Sequence, residues 1–195
     1  MDKVLSCAYN GAHFTDMRLL LSSRYTNMER IESIEAAETA LVGKANKLLE
    51  AARAIVSGNA SSAKNAVNLL SRLREAVYED LNQIEHEGLI LEAAQWLREN
   101  ALAGREAEWW WNPRQTGGHD EPDLRCISGS DVVVAEVTAS NAPVGVIDSR
   151  MMSTLEKLAA TEGKRYYFVR TESMRKRAKT KVDKGKWDIR VVQLP

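Results

Sequence analysis

Apolar residues at Ile31, Ile34, Leu41, Ala45, Leu48, Ala52 and Ile55 recur with the 3-4 spacing of a coiled-coil seam, broken only at Glu38. They belong to a stretch that reads as helical from about Thr15, where Asp16 and Met17 open a segment with no Pro and a single Gly43 before Gly58. The first dozen or so residues, with Asn10-Gly11 as a turn signal, read as loosely structured. A seam needs a partner, and the next segment offers one. SGNASS at residues 57–62 is a polar turn whose serines suit the cap of a following helix. Beyond it Val67, Leu70, Val77, Leu81, Ile84 and Leu91 resume the same spacing. Residues 1–84 are therefore expected to form a long antiparallel helical hairpin. Small residues on the first seam, Ala45 and Ala52, bury little area, which leaves room for a homodimer contact through the hairpin.

The second helix is predicted to run on through EGLILEAAQWLRENALAG to a stop at Gly104. Its last turns carry Ile90, Ala93, Ala94, Leu97 and Ala101 as a stripe suited to pack on a sheet. From there the pattern changes period. EWWWNPRQ (Glu108 to Gln115) reads as a strand, with Trp109 and Trp111 facing one way and Trp110 the other. The turn-rich TGGHDEPD delivers Asp123 into a second strand, and Ser-Gly-Ser separates that strand from a third. SNAPVG is a loop, Val146 to Thr161 a helix, KRYYFVR a compact strand, Ser173 to Lys184 a basic helix closed by Gly185, and WDIRVVQL a last strand. The fold class expected is α/β (α+β): a domain over residues 85–195 with a central mixed sheet, preceded by the hairpin over 1–84.

The third strand carries the chemistry. In DVVVAEVTAS, Val132, Val134, Glu136 and Thr138 share one face, while Val133, Ala135, Val137 and Ala139 share the other. An ionised Glu in an otherwise apolar strand costs several kcal/mol unless it is paired, neutralised or bound to a cation. Asp123, thirteen positions earlier at the start of the preceding strand, is the second carboxylate of interest.

Composition narrows the classes. The 195 residues are long enough for one good core or two small domains, and no run of about 18 apolar residues is present to span a membrane. Two distant cysteines, Cys7 and Cys126, suit reduced thiols in a cytoplasmic protein, and His13, His86 and His119 offer no ligand pair at zinc spacing. The formal net charge is zero, but Lys164 to Arg190 holds eleven Lys and Arg against three acids, a local balance of +8 that the rest of the chain offsets. A basic run of this kind supplies phosphate contacts as readily as a solvated helix face.

Pro122-Asp123 followed by Glu136-Val137-Thr138 resembles the motif of the restriction-endonuclease-like PD-(D/E)xK nucleases, and the order of elements over about residues 85–195 is similar to theirs. The resemblance implies a metal-dependent nuclease, with DNA as the expected partner and Mg²⁺ or Mn²⁺ as cofactor. Asp123, Glu136 and the Val137 carbonyl would be the ligands. Arg175, Lys176 and Lys179 on the basic helix would be nucleic-acid contacts, and an acidic residue from the first core helix, Glu87 or Glu92, would be an accessory. The chain departs from the motif at one point: Thr138 stands where the family has the lysine that orients the attacking water.

Three explanations stay open. Lys157 on the following helix is the natural replacement; projection at 100° per residue sets it nearly opposite the buried stripe of Ile147, Met151, Leu155, Leu158 and Ala159, so a role there needs the long side chain to reach round or a tilted helix. Gln115 or His119 could hold the water, with Asp120 and Glu121 as neighbours. Alternatively catalysis is lost, leaving a binding or oligomerisation module in which Glu136 pairs with Arg125 or Arg150.

Overall fold

The computed structural model describes residues 28–102, 104–113 and 121–195. Among them are four helices and a six-stranded mixed sheet, an α+β architecture of the class the pattern predicts. The chain enters through strand β1 (Glu29–Ile31) and then forms helices α1 (Ile34–Val56) and α2 (Ala63–Asn100). Ser33 caps α1 by accepting the Ala36 N–H at 3.2 Å, and Ser62 caps α2 by accepting the Asn65 N–H at 3.2 Å. The helical reading from Thr15 falls on residues 15–27, outside the described residues, and over 29–31 it is corrected. Ile31 lies in a strand with its side chain in the core, and Ser33 starts the helix only at Ile34.

Antiparallel α1 and α2 are tied near their base by Lys44–Glu87 at 2.6 Å, by Glu38–Gln95 and by Glu35–Arg98 at 2.6 Å. The α1 seam is as read, with Leu41, Ala45, Leu48, Ala52 and Ile55 half-buried. The α2 seam is as read at Val77, Ile84 and Leu91, but shifted toward its outer end. Leu69, Leu73 and Ala76 turn inward, whereas Val67, Leu70 and Leu81 are exposed. The displacement has a simple cause: α2 carries two neighbouring apolar stripes, and spacing alone does not say which meets the partner.

The sheet runs in sequence order, β1, β2 (Glu108–Trp111), β3 (Leu124–Ser128), β4 (Asp131–Thr138), β5 (Lys164–Val169), β6 (Arg190–Gln193). Its first four strands pair antiparallel and the last two join in parallel. The parallel joins require crossovers, supplied by helices α3 (Val146–Ala160) and α4 (Glu172–Gly185). The base of α2 covers one face: Leu89, Ala93 and Leu97 pack with Leu124, Val133 and Phe168. Helices α3 and α4 cover the other, where Met151, Leu155, Met174 and Ala178 meet Val134 and Tyr167. Gly163, at φ +113°, lets the turn into β5 lie against β4, because a Cβ there would come within 2.6 Å of the Val132 carbonyl. Helix α2 continues without a break through position 84, and β1 adds a strand from the N-terminal part to the sheet. Among the described residues no helix is long and apolar enough to cross a membrane.

Candidate active site

The two motif carboxylates lie together. Leu124 pairs with Ala135 in the β3–β4 register, so Asp123, one residue earlier, faces Glu136, one residue later, on the sheet face shared with Arg125 and Val134. Both are buried, at 4% and 5% exposure. Regular pairing ends at Leu124, and Asp123 Oδ2 itself accepts the Val137 N–H at 2.8 Å. A strand residue presents its N–H and C=O to the same side, so the Val137 carbonyl also faces the Asp123 flank. From α2, His86 Nε2 lies 3.4 Å from the other oxygen, Asp123 Oδ1.

Two buried carboxylates at this separation oppose each other's ionisation. Burial pushes the Glu136 carboxyl well above its ordinary value, the Asp123 charge pushes the same way, and Lys157 partly opposes both. Lys157 extends from the last turn of α3, and its Nζ lies 2.6 Å from Glu136 Oε1 and donates to the Glu121 carbonyl at 2.8 Å. The projection that set Lys157 almost opposite the buried stripe is corrected to a half-buried position on the stripe's flank, next to buried Leu158, and the reach round that this role required is supplied by its stem. Four methylenes carry the ammonium from that flank to the carboxylates, leaving 27% of the side chain exposed. One N–H donates to the Glu121 carbonyl, and the ammonium as a whole is ion-paired with Glu136.

Thr138 takes a different role from the motif lysine. Its hydroxyl lies 2.7 Å from the Tyr167 hydroxyl, on the face shared with Glu136. Burial pushes the Tyr167 phenol up to about 12; the Thr138 hydrogen bond opposes this, and the charges of Glu136 and Asp123 add to it. Tyr167 stays protonated through the neutral range, so the pair Thr138–Tyr167 offers hydroxyl dipoles and no charge.

The remaining expected residues separate into those near the site and those held elsewhere. Glu87 is buried but engages Lys44, at 2.6 Å, and Gln83, at 3.1 Å; Glu92 makes a bidentate pair with Arg170 across the sheet edge. Neither is the α2 residue that reaches Asp123; that is His86. His86 sits one step before Glu87 at the start of the buried α2 stripe, and nothing in its local spacing points to Asp123. Glu121 is buried two residues before Asp123. His119, Asp120 and Gln115 lie outside the described residues. The cation paired with Glu136 is Lys157, and Arg150 is exposed on α3. Trp109 is core, whereas Trp110 lies 5.8 Å from the Arg125 guanidinium. On α4, Arg175 is held bidentate by Glu172, Lys176 sits 3.7 Å from the same carboxylate, and Lys179 is exposed.

The donors suit a hard cation. Asp123 and Glu136 are two adjacent carboxylates with a backbone carbonyl on the same flank, and Mg²⁺ sites typically take one or two carboxylates and complete the shell with water or phosphate. Among the described residues no group of three or more His, Cys, Asp and Glu side chains is arranged to hold a metal, so any ion here would have few protein ligands. Comparison of the chain with protein-family models, curated proteins and solved structures finds no match.

Proposed function

We propose that the protein is a metal-dependent nuclease of the restriction-endonuclease-like type, hydrolysing phosphodiester bonds in DNA. The observation that carries this reading is the Lys157 ammonium 2.6 Å from Glu136 beside Asp123, a carboxylate pair and a lysine assembled from β3, β4 and α3. The order of a helix, three antiparallel strands, a helix, a strand, a helix and a final strand supports it. So does the +8 balance from Lys164 to Arg190, which suits a phosphate backbone.

In this reading Asp123, Glu136 and the Val137 carbonyl would hold Mg²⁺ or Mn²⁺, which when bound polarises a phosphoryl oxygen and makes nearby water more acidic. The chain's own residues do the rest. His86 and the Val137 N–H fix the Asp123 carboxylate so that it needs no reorganisation. Lys157, anchored by the Glu121 carbonyl, keeps a positive charge at Glu136, available to water or a phosphate oxygen. Thr138 and Tyr167 line the same face with hydroxyls. Lys176 and Lys179 on α4 are exposed cations for backbone phosphates; Arg175, held bidentate by Glu172, would contribute only by releasing it.

A second reading has one observation in its favour: Glu136–Lys157 is already a closed buried ion pair, as in a catalytically inactive binding module. Cleavage of supercoiled and linear DNA by the intact protein, Asp123→Ala and Glu136→Ala in Mg²⁺ or Mn²⁺ separates the two. Cutting that requires metal and vanishes in both variants is the expected result. An intact protein that binds DNA without cutting it establishes the second reading.

A further inference from the structure

The outer half of the helical hairpin has two unlike faces. One, reaching down to the Lys44–Glu87 pair, holds an open groove of about 470 Å³ whose rim of Lys47, Asp80 and Gln83 surrounds apolar Leu48 and Ile84. The opposite face is mainly apolar. On α1 the inward residues Leu41, Leu48 and Ile55 are each followed by an exposed one, Val42, Leu49 and Val56, which recur every seven positions, the period of packed helices. On α2 Ala66, Leu69 and Val77 are half-buried, and the residues after them, Val67, Leu70 and Tyr78, are exposed, with Leu81 continuing the stripe. One step along either helix turns 100°, and because the helices are antiparallel both steps turn to the same side of the hairpin. The result is a mainly apolar face, crossed by the exposed Asn46 and Arg53 on α1 and Arg74 on α2.

These seven side chains expose between 45% and 66% of their surfaces. Together they are on the scale of the ~800 Å² that one partner brings to a stable interface. Charge narrows the occupant. Residues 34–84 hold six Lys and Arg and six Asp and Glu, whereas phosphate backbones and anionic membrane surfaces select an excess of Lys and Arg. A mainly apolar, seven-spaced face on a neutral hairpin fits another face like itself, and twofold pairing of identical patches is the commonest closed assembly. We infer that this face binds the same face of a second copy of the chain, so that two hairpins form a four-helix bundle. The inference stands apart from the nuclease reading.

Sedimentation of the full chain across a concentration series tests it. The intact protein sediments at twice the chain mass, and Leu49→Glu combined with Leu70→Glu returns it to single mass with unchanged helical circular dichroism. The uncharged pair Leu49→Gln and Leu70→Gln raises the dimer dissociation constant at least about tenfold. Val144→Glu, at an equally exposed apolar residue outside the hairpin, leaves the dimer intact. A single-mass intact protein overturns the inference, as does a dimer indifferent to the hairpin variants. Dimerisation that begins only when residues 1–27 are removed overturns it too, by showing that the chain covers its own face.

Discussion

Helix α3 carries a carboxylate–cation cluster at each end, and the two behave in opposite ways. At its first turn Asp148 is gripped bidentate by Arg177, at 2.7 and 2.8 Å, and by Lys181 at 3.2 Å. The Arg177 hydrogen bonds hold the Asp148 carboxyl well below the usual range. At its last turn Lys157 approaches Glu136 just as closely, at 2.6 Å, yet the Glu136 carboxyl is driven well above the usual range. A cation at bonding distance does not decide the outcome. The difference is burial and a second carboxylate: Asp148 keeps contact with water and has two cations, whereas Glu136 is enclosed, shares one ammonium and faces Asp123. The first cluster acts as a surface clamp between α3 and α4. The second stores unfavourable charge, which a bound divalent cation would relieve.

Glu136→Gln breaks the contrast most sharply. In the proposed nuclease it would remove a ligand and should lower metal-dependent cleavage by about a thousandfold or more. It should also stabilise the fold by about 1 kcal/mol in mildly alkaline solution, since it deletes a buried charge. The sign follows from linkage. A carboxyl whose folded-state pKa is raised binds more protons folded than unfolded, so stability is fully present below the unfolded value of about 4.5 and is lost as pH rises through the folded value. Denaturant midpoints of the intact protein should therefore fall over that window, and those of Glu136→Gln should stay flatter.

Lys157→Ala comes next, with cleavage reduced about a hundredfold, the usual cost of losing a positioned proton-transfer or charge-stabilising group. Added Mn²⁺ should raise the melting temperature, and more so at about pH 8 than at about pH 5, because ligation requires both carboxylates deprotonated. Equal shifts at both pH values would argue against binding at this pair. The smallest effect is expected of Asp148→Asn. Its depressed carboxyl contributes stability above the ordinary carboxylate range and loses it as pH falls through the folded value, so the variant should differ slightly from the intact protein near neutrality, less in high salt, and not at all in strong acid.

Periodicity made most of the architecture legible. The turn at 57–62, the sheet-facing stripe of α2 and the strands around Asp123 and Glu136 all fall where the pattern puts them. What it missed involved reach and choice between equivalents. Ile31 fits a helical seam as well as a strand end, and only the Ser33 cap breaks the tie. Val67 and Leu70 compete with Leu69 and Leu73 for the same groove. A helical wheel sets Lys157 nearly opposite the buried stripe, needing its long stem to reach the site; it lies on the stripe's flank, and the stem does reach. His86 escaped because its partner is Asp123, far away in sequence, and no local spacing announces such a contact.

The most direct test of the central claim, that Lys157 supplies the charge Thr138 does not, is plasmid cleavage in Mn²⁺ by the intact protein, Lys157→Ala, and Lys157→Ala combined with Thr138→Lys. Thr138 lies on the Glu136 face of β4, two residues along, so a lysine there is directed to the same carboxylates. The account predicts cutting by the first, loss in the second and recovery in the third. Full activity in Lys157→Ala, or no cutting by the intact protein, would contradict it.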